Sequence, residues 1–123
     1  MAILVSQLSC SDNSSAKGDF IVTSSWPIDG ETNVYPKDQY VVEFSDNIDP
    51  YSVQGEISVY IEDAAGVKQS ISKWVDAKTL TIIPSPPLQY SSSYRLVVTT
   101  NVKSNKGTNL TNSHVVSFTT SST

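Results

Sequence analysis

Tyr40-Val41-Val42-Glu43-Phe44 is the stretch from which the rest of the chain can be read. In an extended strand successive side chains point to opposite faces, so Tyr40, Val42 and Phe44 share one side. A strand with one buried face is predicted there. Ile57-Ser58-Val59-Tyr60-Ile61-Glu62 repeats the pattern with Ile57, Val59 and Ile61, and Thr79-Leu80-Thr81-Ile82-Ile83 alternates until Pro84. Tyr94-Arg95-Leu96-Val97-Val98 sets Tyr94, Leu96 and Val98 on an inner face. Phe20 to Thr23 opens the series and Val116-Ser117-Phe118 closes it. Asp63-Ala64-Ala65-Gly66 is a hairpin-sized break, after which Val67 to Val75 is expected to carry Ile71 and Trp74 back along its partner strand. Asn105-Lys106-Gly107 reads as a turn, and Pro86-Pro87 is excluded from any central strand because proline has no N–H to donate. About seven short strands without a helical pattern predict an all-β sandwich of two antiparallel sheets packed face to face.

Composition agrees. Ser and Thr number 32, and Val plus Ile reach 23 against 7 for Leu plus Met, a balance that favours strands over helices. With 123 residues the chain has the length of one ordinary domain. Eight basic against twelve acidic side chains leave a net charge of −4, so a phosphate-binding surface would be built against the overall field and nucleic acid is not expected as a partner. One cysteine and one histidine exclude an intrachain disulfide and a multi-cysteine zinc site. They also leave nucleophile chemistry short of bases. No run of 18 apolar residues is present, so no membrane-spanning helix is expected.

The first nineteen residues differ in character from the rest. Ala2-Ile3-Leu4-Val5 is apolar and of high β-propensity, and with Leu8 it is expected to be buried as an extended N-terminal arm, either against its own sandwich or, the reading preferred, against a neighbouring chain. Ser9 to Asp19 is small and polar and reads as a connector able to reach roughly 30 Å. Residues 1-19 are therefore assigned to arm and connector, and 20-123 to the sandwich. The start also resembles the tail of a bacterial lipoprotein signal, with small Ser9 preceding the lone Cys10, which makes Cys10 a candidate for lipidation. A secretory signal needs a basic start and a longer apolar run than one ending at Val5.

The order of residues along the domain resembles a known family. The relevant runs are Pro27 to Pro36, Val42-Glu43-Phe44-Ser45-Asp46-Asn47-Ile48-Asp49-Pro50-Tyr51-Ser52-Val53, and Leu80 to Pro84 with Pro87-Leu88. They continue in Tyr94-Arg95-Leu96-Val97, Val102 to Gly107 with Leu110, and Val116 to Thr120. Together, over about residues 24 to 120, they resemble the bacterial Ig-like domain of the kind repeated in S-layer proteins. The resemblance implies an Ig-like β-sandwich serving as a spacer, adhesive or structural module, with no catalytic residues to carry over.

Other candidate sites have simpler readings beside them. Asp46, Asn47 and Asp49 share a loop and could offer oxygens to Ca²⁺, but Asp and Asn also hydrogen-bond their own backbone in turns, and the EF-hand spacing is absent. His114 shares parity with Val116 and Phe118, as expected of a half-buried histidine at a strand end. No G-x-S-x-G, H-E-x-x-H, C-x-x-C or Gly-rich phosphate loop occurs. Tyr51, Tyr60 and Tyr90 are the tyrosines expected to be exposed and open to a sugar, while Trp26 and Trp74 are expected to fill or cap the sandwich.

A non-enzymatic module without cofactor follows, decorating or building the outside of a larger assembly and bound to its protein subunits. The setting expected first is a phage virion, as a decoration or tail component attached through the arm. The alternatives are an adhesive or spacer module on a bacterial cell surface, lipidated at Cys10, and an accessory domain binding a cell-surface glycan.

Overall fold

The computed structural model of the chain describes residues 19–123. The arm residues Ala2, Ile3, Leu4, Val5 and Leu8, and Cys10, lie outside the described residues. Eight strands follow in chain order: β1 Val22–Trp26, β2 Glu31–Val34, β3 Tyr40–Phe44, β4 Val59–Asp63, β5 Ile71–Asp76, β6 Thr79–Pro84, β7 Ser93–Val98 and β8 His114–Thr120. They form two four-stranded sheets, ordered β1-β3-β6-β5 and β2-β8-β7-β4. One 3₁₀ turn, Pro50–Val53, interrupts them, and the Asp49 carboxylate caps it by accepting from the Tyr51 N–H at 3.1 Å.

Alternation places the core as expected for β3, β6, β7 and β8. Tyr40, Val42, Phe44, Leu80, Ile82, Tyr94, Leu96, Val98, Val116 and Phe118 are all buried in one cluster between the sheets. Phe20 and Phe44 stack at 5.2 Å, and Tyr94 and Phe118 stack at 6.0 Å, so each end of the core has its own aromatic pair.

The structure corrects four readings. The described residues form eight strands where about seven were expected, the added one being the short strand Glu31–Val34. It pairs with β8 in parallel, not antiparallel, through an irregular register. The segment after Gly66 does not run back along β4 as a full hairpin. Gln69 N donates to Ile61 O at 2.7 Å and Asp63 N to Val67 O at 3.0 Å, but β5 then crosses to the other sheet and pairs with β6. Ile57 precedes β4 and is exposed, while Val59 and Ile61 are buried.

One tyrosine hydroxyl anchors the fold. Tyr94, at the start of β7, accepts from the Gln89 backbone N–H at 2.9 Å, five residues upstream, in the manner of the tyrosine corner of Ig sandwiches. Tyr40 contrasts with it. Its ring meets Phe118 edge-on at 5.4 Å, yet its hydroxyl is buried with no hydrogen-bond partner among the described residues, and burial pushes its pKa up.

Lys73 closes a sheet edge. It occupies an inward position of β5 between Ile71 and Val75, which pack on the core. From there its ammonium donates to Gly55 O at 3.1 Å and Val59 O at 3.2 Å. Val59, Ile61 and Asp63, alternate residues of the edge strand β4, are thereby each bonded from the side facing β5. An inward charge on an edge is a known guard against strand addition. Desolvation lowers the Lys73 pKa, as expected for an ammonium held in this slot.

Two expected outcomes follow. Tyr94→Phe should cost about 1 kcal/mol in urea unfolding by stranding the Gln89 N–H, whereas Tyr40→Phe should be neutral or stabilising, because it removes a hydroxyl that has no partner among the described residues. Lys73→Met, which keeps the apolar stem and removes the donor, should increase concentration-dependent association in light scattering relative to the unaltered chain. An unchanged scattering profile would mean that the β4 edge does not depend on this ammonium.

Candidate functional site

Strand alternation puts Glu62, Arg95 and Ser117 in one cross-strand row on the outer face of the second sheet, since Glu62 pairs with Arg95 and Arg95 with Ser117. Ser93 and Thr119 form the next row. Their inward neighbours Ile61, Leu96, Val116 and Phe118 are core residues, so this side of the sheet is free to carry polar groups. Two turns rise beside the floor. Asp63–Gly66 stands at the β4 side, and Asp29-Gly30-Glu31 stands at the β2 side, tied down by Gly30 N donating to Ser117 O at 2.7 Å and Ser117 N donating to Asp29 Oδ1 at 2.8 Å. Asp63 Oδ1 accepts from both Ala65 N and Val67 N at 2.9 Å and holds the first turn. Gly30 and Gly66 adopt the left-handed conformation with open space where a Cβ would stand.

Between the turns lies a groove of about 520 Å³. Its centre is an ion pair in which Arg95 Nε donates to Glu62 Oε2 at 2.9 Å and Arg95 Nη2 meets the same oxygen. The Glu62 side chain is 9% exposed and that of Arg95 56%, so a nearly buried carboxylate holds a guanidinium that still faces solvent. The floor thus offers charged donors and acceptors flanked by hydroxyls. Sequence reading missed this site. Glu62 and Arg95 lie 33 residues apart, and only the register of β4 on β7 joins them.

The residues singled out from the sequence are dispersed. Asp46 pairs with Lys106 at 3.0 Å and accepts from Asn47 N at 2.8 Å, and these partners hold its pKa below the usual carboxylate value. Asp49 caps the 3₁₀ turn. Among the described residues no group of three or more His, Cys, Asp or Glu is arranged to hold a metal ion. The tryptophans correct expectation. Trp26 and Trp74 are 39% and 45% exposed, so neither is a filler of the core, although Trp26 lies 6.0 Å from the Tyr40 ring. Tyr51 and Tyr90 are exposed as expected, while Tyr60 is half-buried beneath the Lys68 ammonium at 4.6 Å. Tyr35, also exposed, meets Tyr90 at 6.5 Å with the rings tilted by 55°.

His114 is half-buried, as its parity implied, and its Nε2 lies 3.0 Å from Ser25 Oγ, linking β8 to β1 across the side of the sandwich. Desolvation lowers its pKa, opposed by the carboxylate of Asp29.

The described chain enters and leaves at opposite poles. Thr111 N donates to Phe20 O and Ser45 N to Ile21 O at one, while Ser121 N donates to Val34 O and Ser91 N to Ser121 O at the other. Two sheets closed in this way, with a corner tyrosine, define an Ig-like β-sandwich. The chain belongs to the bacterial Ig-like domain family, whose model matches residues 16–120. Among curated proteins none matches the sequence significantly. Solved structures share the fold. The N-terminal part of the bacterial S-layer protein SbsC superposes with a TM-score of 0.59 at 16% identity, over 84% of this chain and 24% of that one. A structure of SbsC domains 1-6 gives 0.62 at 16% identity, over 86% and 14%. L,D-transpeptidase 3 from Mycobacterium tuberculosis gives 0.52 at 18% identity, over 82% and 37%. The chain thus spans a quarter or less of the S-layer chains and well under half of the transpeptidase.

The pH dependence of stability tests the histidine. Because the folded-state pKa of His114 lies below its ordinary value, the unfolded chain binds the proton more readily, and stability should fall as pH drops below about 6.5. His114→Gln should flatten that part of the stability profile in urea melts while leaving the region above about pH 7 unchanged.

Proposed function

We propose that the chain is a non-catalytic interaction module of a bacterial cell surface, tethered through its N-terminal segment and holding its sandwich away from the attachment point. The observation that supports this most is the match of nearly the whole folded part to a bacterial Ig-like family, together with the likeness of its fold to domains of S-layer proteins. The polar geometry of the chain fits such a tether. Phe20 enters at one pole and Ser121 leaves at the other, so the two ends of the described chain lie apart.

In this reading the tether is the part of the N-terminal segment 1-19 that begins at Cys10, and 20-123 is the module. Cys10 carries the lipid, Ala2, Ile3, Leu4, Val5 and Leu8 belong to the apolar stretch preceding it, and the connector from Ser11 to Asp19 spans the gap to the sandwich. In the virion setting expected first from sequence, residues 2 to 8 are instead kept and buried against a neighbouring subunit. Partners are the protein subunits of the surface assembly in both.

Labelling with a palmitate analogue in the native source distinguishes the two. Label on the chain, retention in the envelope fraction, and loss of both in Cys10→Ser are the expected results. Unlabelled chain keeping Met1 or Ala2 and sedimenting with particles would overturn the surface tether in favour of the virion.

A further inference from the structure

We propose that the groove between the Asp63–Gly66 and Asp29–Glu31 turns is a binding site for a neutral oligosaccharide chain, read through its hydroxyl groups by Arg95, Glu62, Ser93, Ser117 and Thr119. The proposal concerns where and how a glycan is met, and it rests on the surface reading above only for where the ligand is found.

The site is built rather than incidental to a flat sheet. Its volume of about 520 Å³ falls within the roughly 300–1,000 Å³ typical of small-ligand clefts. Glu62 is 7% exposed although it stands on the outer face of its sheet, where a carboxylate would ordinarily be solvated. Both of its contacts with Arg95 go to Oε2, through Nε and Nη2. Glu62 Oε1 and Arg95 Nη1 make no hydrogen bond among the described residues. The pair therefore leaves the Oε1 acceptor and three guanidinium N–H donors, two on Nη1 and one on Nη2, and a guanidinium oriented before a ligand arrives loses less side-chain freedom on binding.

The chemistry of the walls selects the ligand. Glu31, Asp63 and Glu62 outnumber Arg95 in the lining, within a chain of net charge −4, so phosphate, sulfate or carboxylate ligands are repelled. An apolar ligand would have to strip water from the ion pair and three hydroxyls without replacing those hydrogen bonds. Neighbouring sugar hydroxyls can do what the floor requires, because each donates and accepts, as do Ser93, Ser117 and Thr119. The open backbone above Gly30 and Gly66 allows the chain to pass along the groove at both sides.

The exposed aromatic rings do not compete as a platform. Trp74 lies on the other sheet, Tyr51 on the 3₁₀ turn, and the neighbouring Tyr35 and Tyr90 rings are tilted rather than coplanar. Recognition by hydrogen bonds without a stacking ring predicts weak, saturable binding.

The test is an amide NMR titration of the full chain with an N-acetylglucosamine tetramer, mannotetraose and xylotetraose, with tetralysine as a charged control. Saturable shifts confined to the amides of residues 62–66, 93–95 and 117–119 with at least one sugar are expected. Arg95→Ala should weaken that sugar by about tenfold or more, and Thr119→Val, which leaves the ion pair intact, by a smaller factor. Trp74→Ala should have no effect. Should Arg95→Ala unfold, Thr119→Val and Arg95→Lys carry the test, since both keep the fold's apolar contacts. No shift with any of the sugars, shifts centred on Trp74 or Tyr51, or saturation by tetralysine in their place would each overturn the proposal. Lipidation and fractionation do not enter this measurement, so the tether and the groove can fail separately.

Discussion

A sandwich of two sheets has four edge strands, and every other feature of this molecule depends on how the chain closes them. It does so twice by letting consecutive strands change sheets. β1 pairs with β3 in the first sheet, and β2, a few residues on, pairs with β8 in the second. On the opposite side β4 ends the second sheet and β5 the first, with Val67 and Gln69 bonded to β4 at the crossing. Unpaired N–H and C=O groups on an edge invite another strand, so the crossing segments and the Lys73 ammonium replace a partner chain with local bonds. The core can then be largely apolar, because few backbone groups are left for it to satisfy.

Closing the edges also determines where chemistry can sit. Once Ile61, Leu96 and Val116 are committed inward, Glu62, Arg95 and Ser117 must face out. The same two crossings supply the walls above them, because Asp29–Glu31 follows the β1 to β2 switch and Asp63–Gly66 precedes the β4 to β5 switch. Edge closure thus builds the walls of the groove whose floor the charged pair occupies. Such a pair on an outer face adds little to stability if it is solvated, and removing either partner leaves the other charge stranded.

Much of this was legible in residues alone, for a physical reason. Where a strand has one wet face, period-two alternation is a direct record of burial, so the inner faces of β3, β6, β7 and β8 and the half-buried position of His114 could be read off. What failed needed information that alternation does not hold. β2 is four residues long with Asn33 at positive φ, too short and irregular to show a period. The sheet to which β5 belongs is set by its pairing with Thr79 to Pro84, a choice of partner that alternation does not record. Trp26 and Trp74 were expected to fill or cap the sandwich, and neither fills it: both fall on strands that border the sandwich, where a large ring can cover an edge and remain partly wet. The family resemblance supplied the fold where local pattern was ambiguous, but it carried no site, since the groove depends on a register between positions 33 residues apart.

The two tyrosines show how unevenly polar atoms are treated in this core. Tyr94 brings its hydroxyl to a backbone N–H of the preceding loop and so orients the entry into β7, the strand that carries Arg95. Tyr40 contributes ring surface to Phe118 and Trp26 and hides a hydroxyl with no partner among the described residues. An unpaired buried hydroxyl costs free energy that a phenylalanine would not, so its retention is not explained by packing. The corner hydroxyl is the one that matters to the groove: Tyr94 precedes Arg95 directly, and the bond that fixes the start of β7 also fixes the side chain that alternation turns outward. A fold set by its core and a site set by its surface are joined in these two adjacent residues, one facing each way.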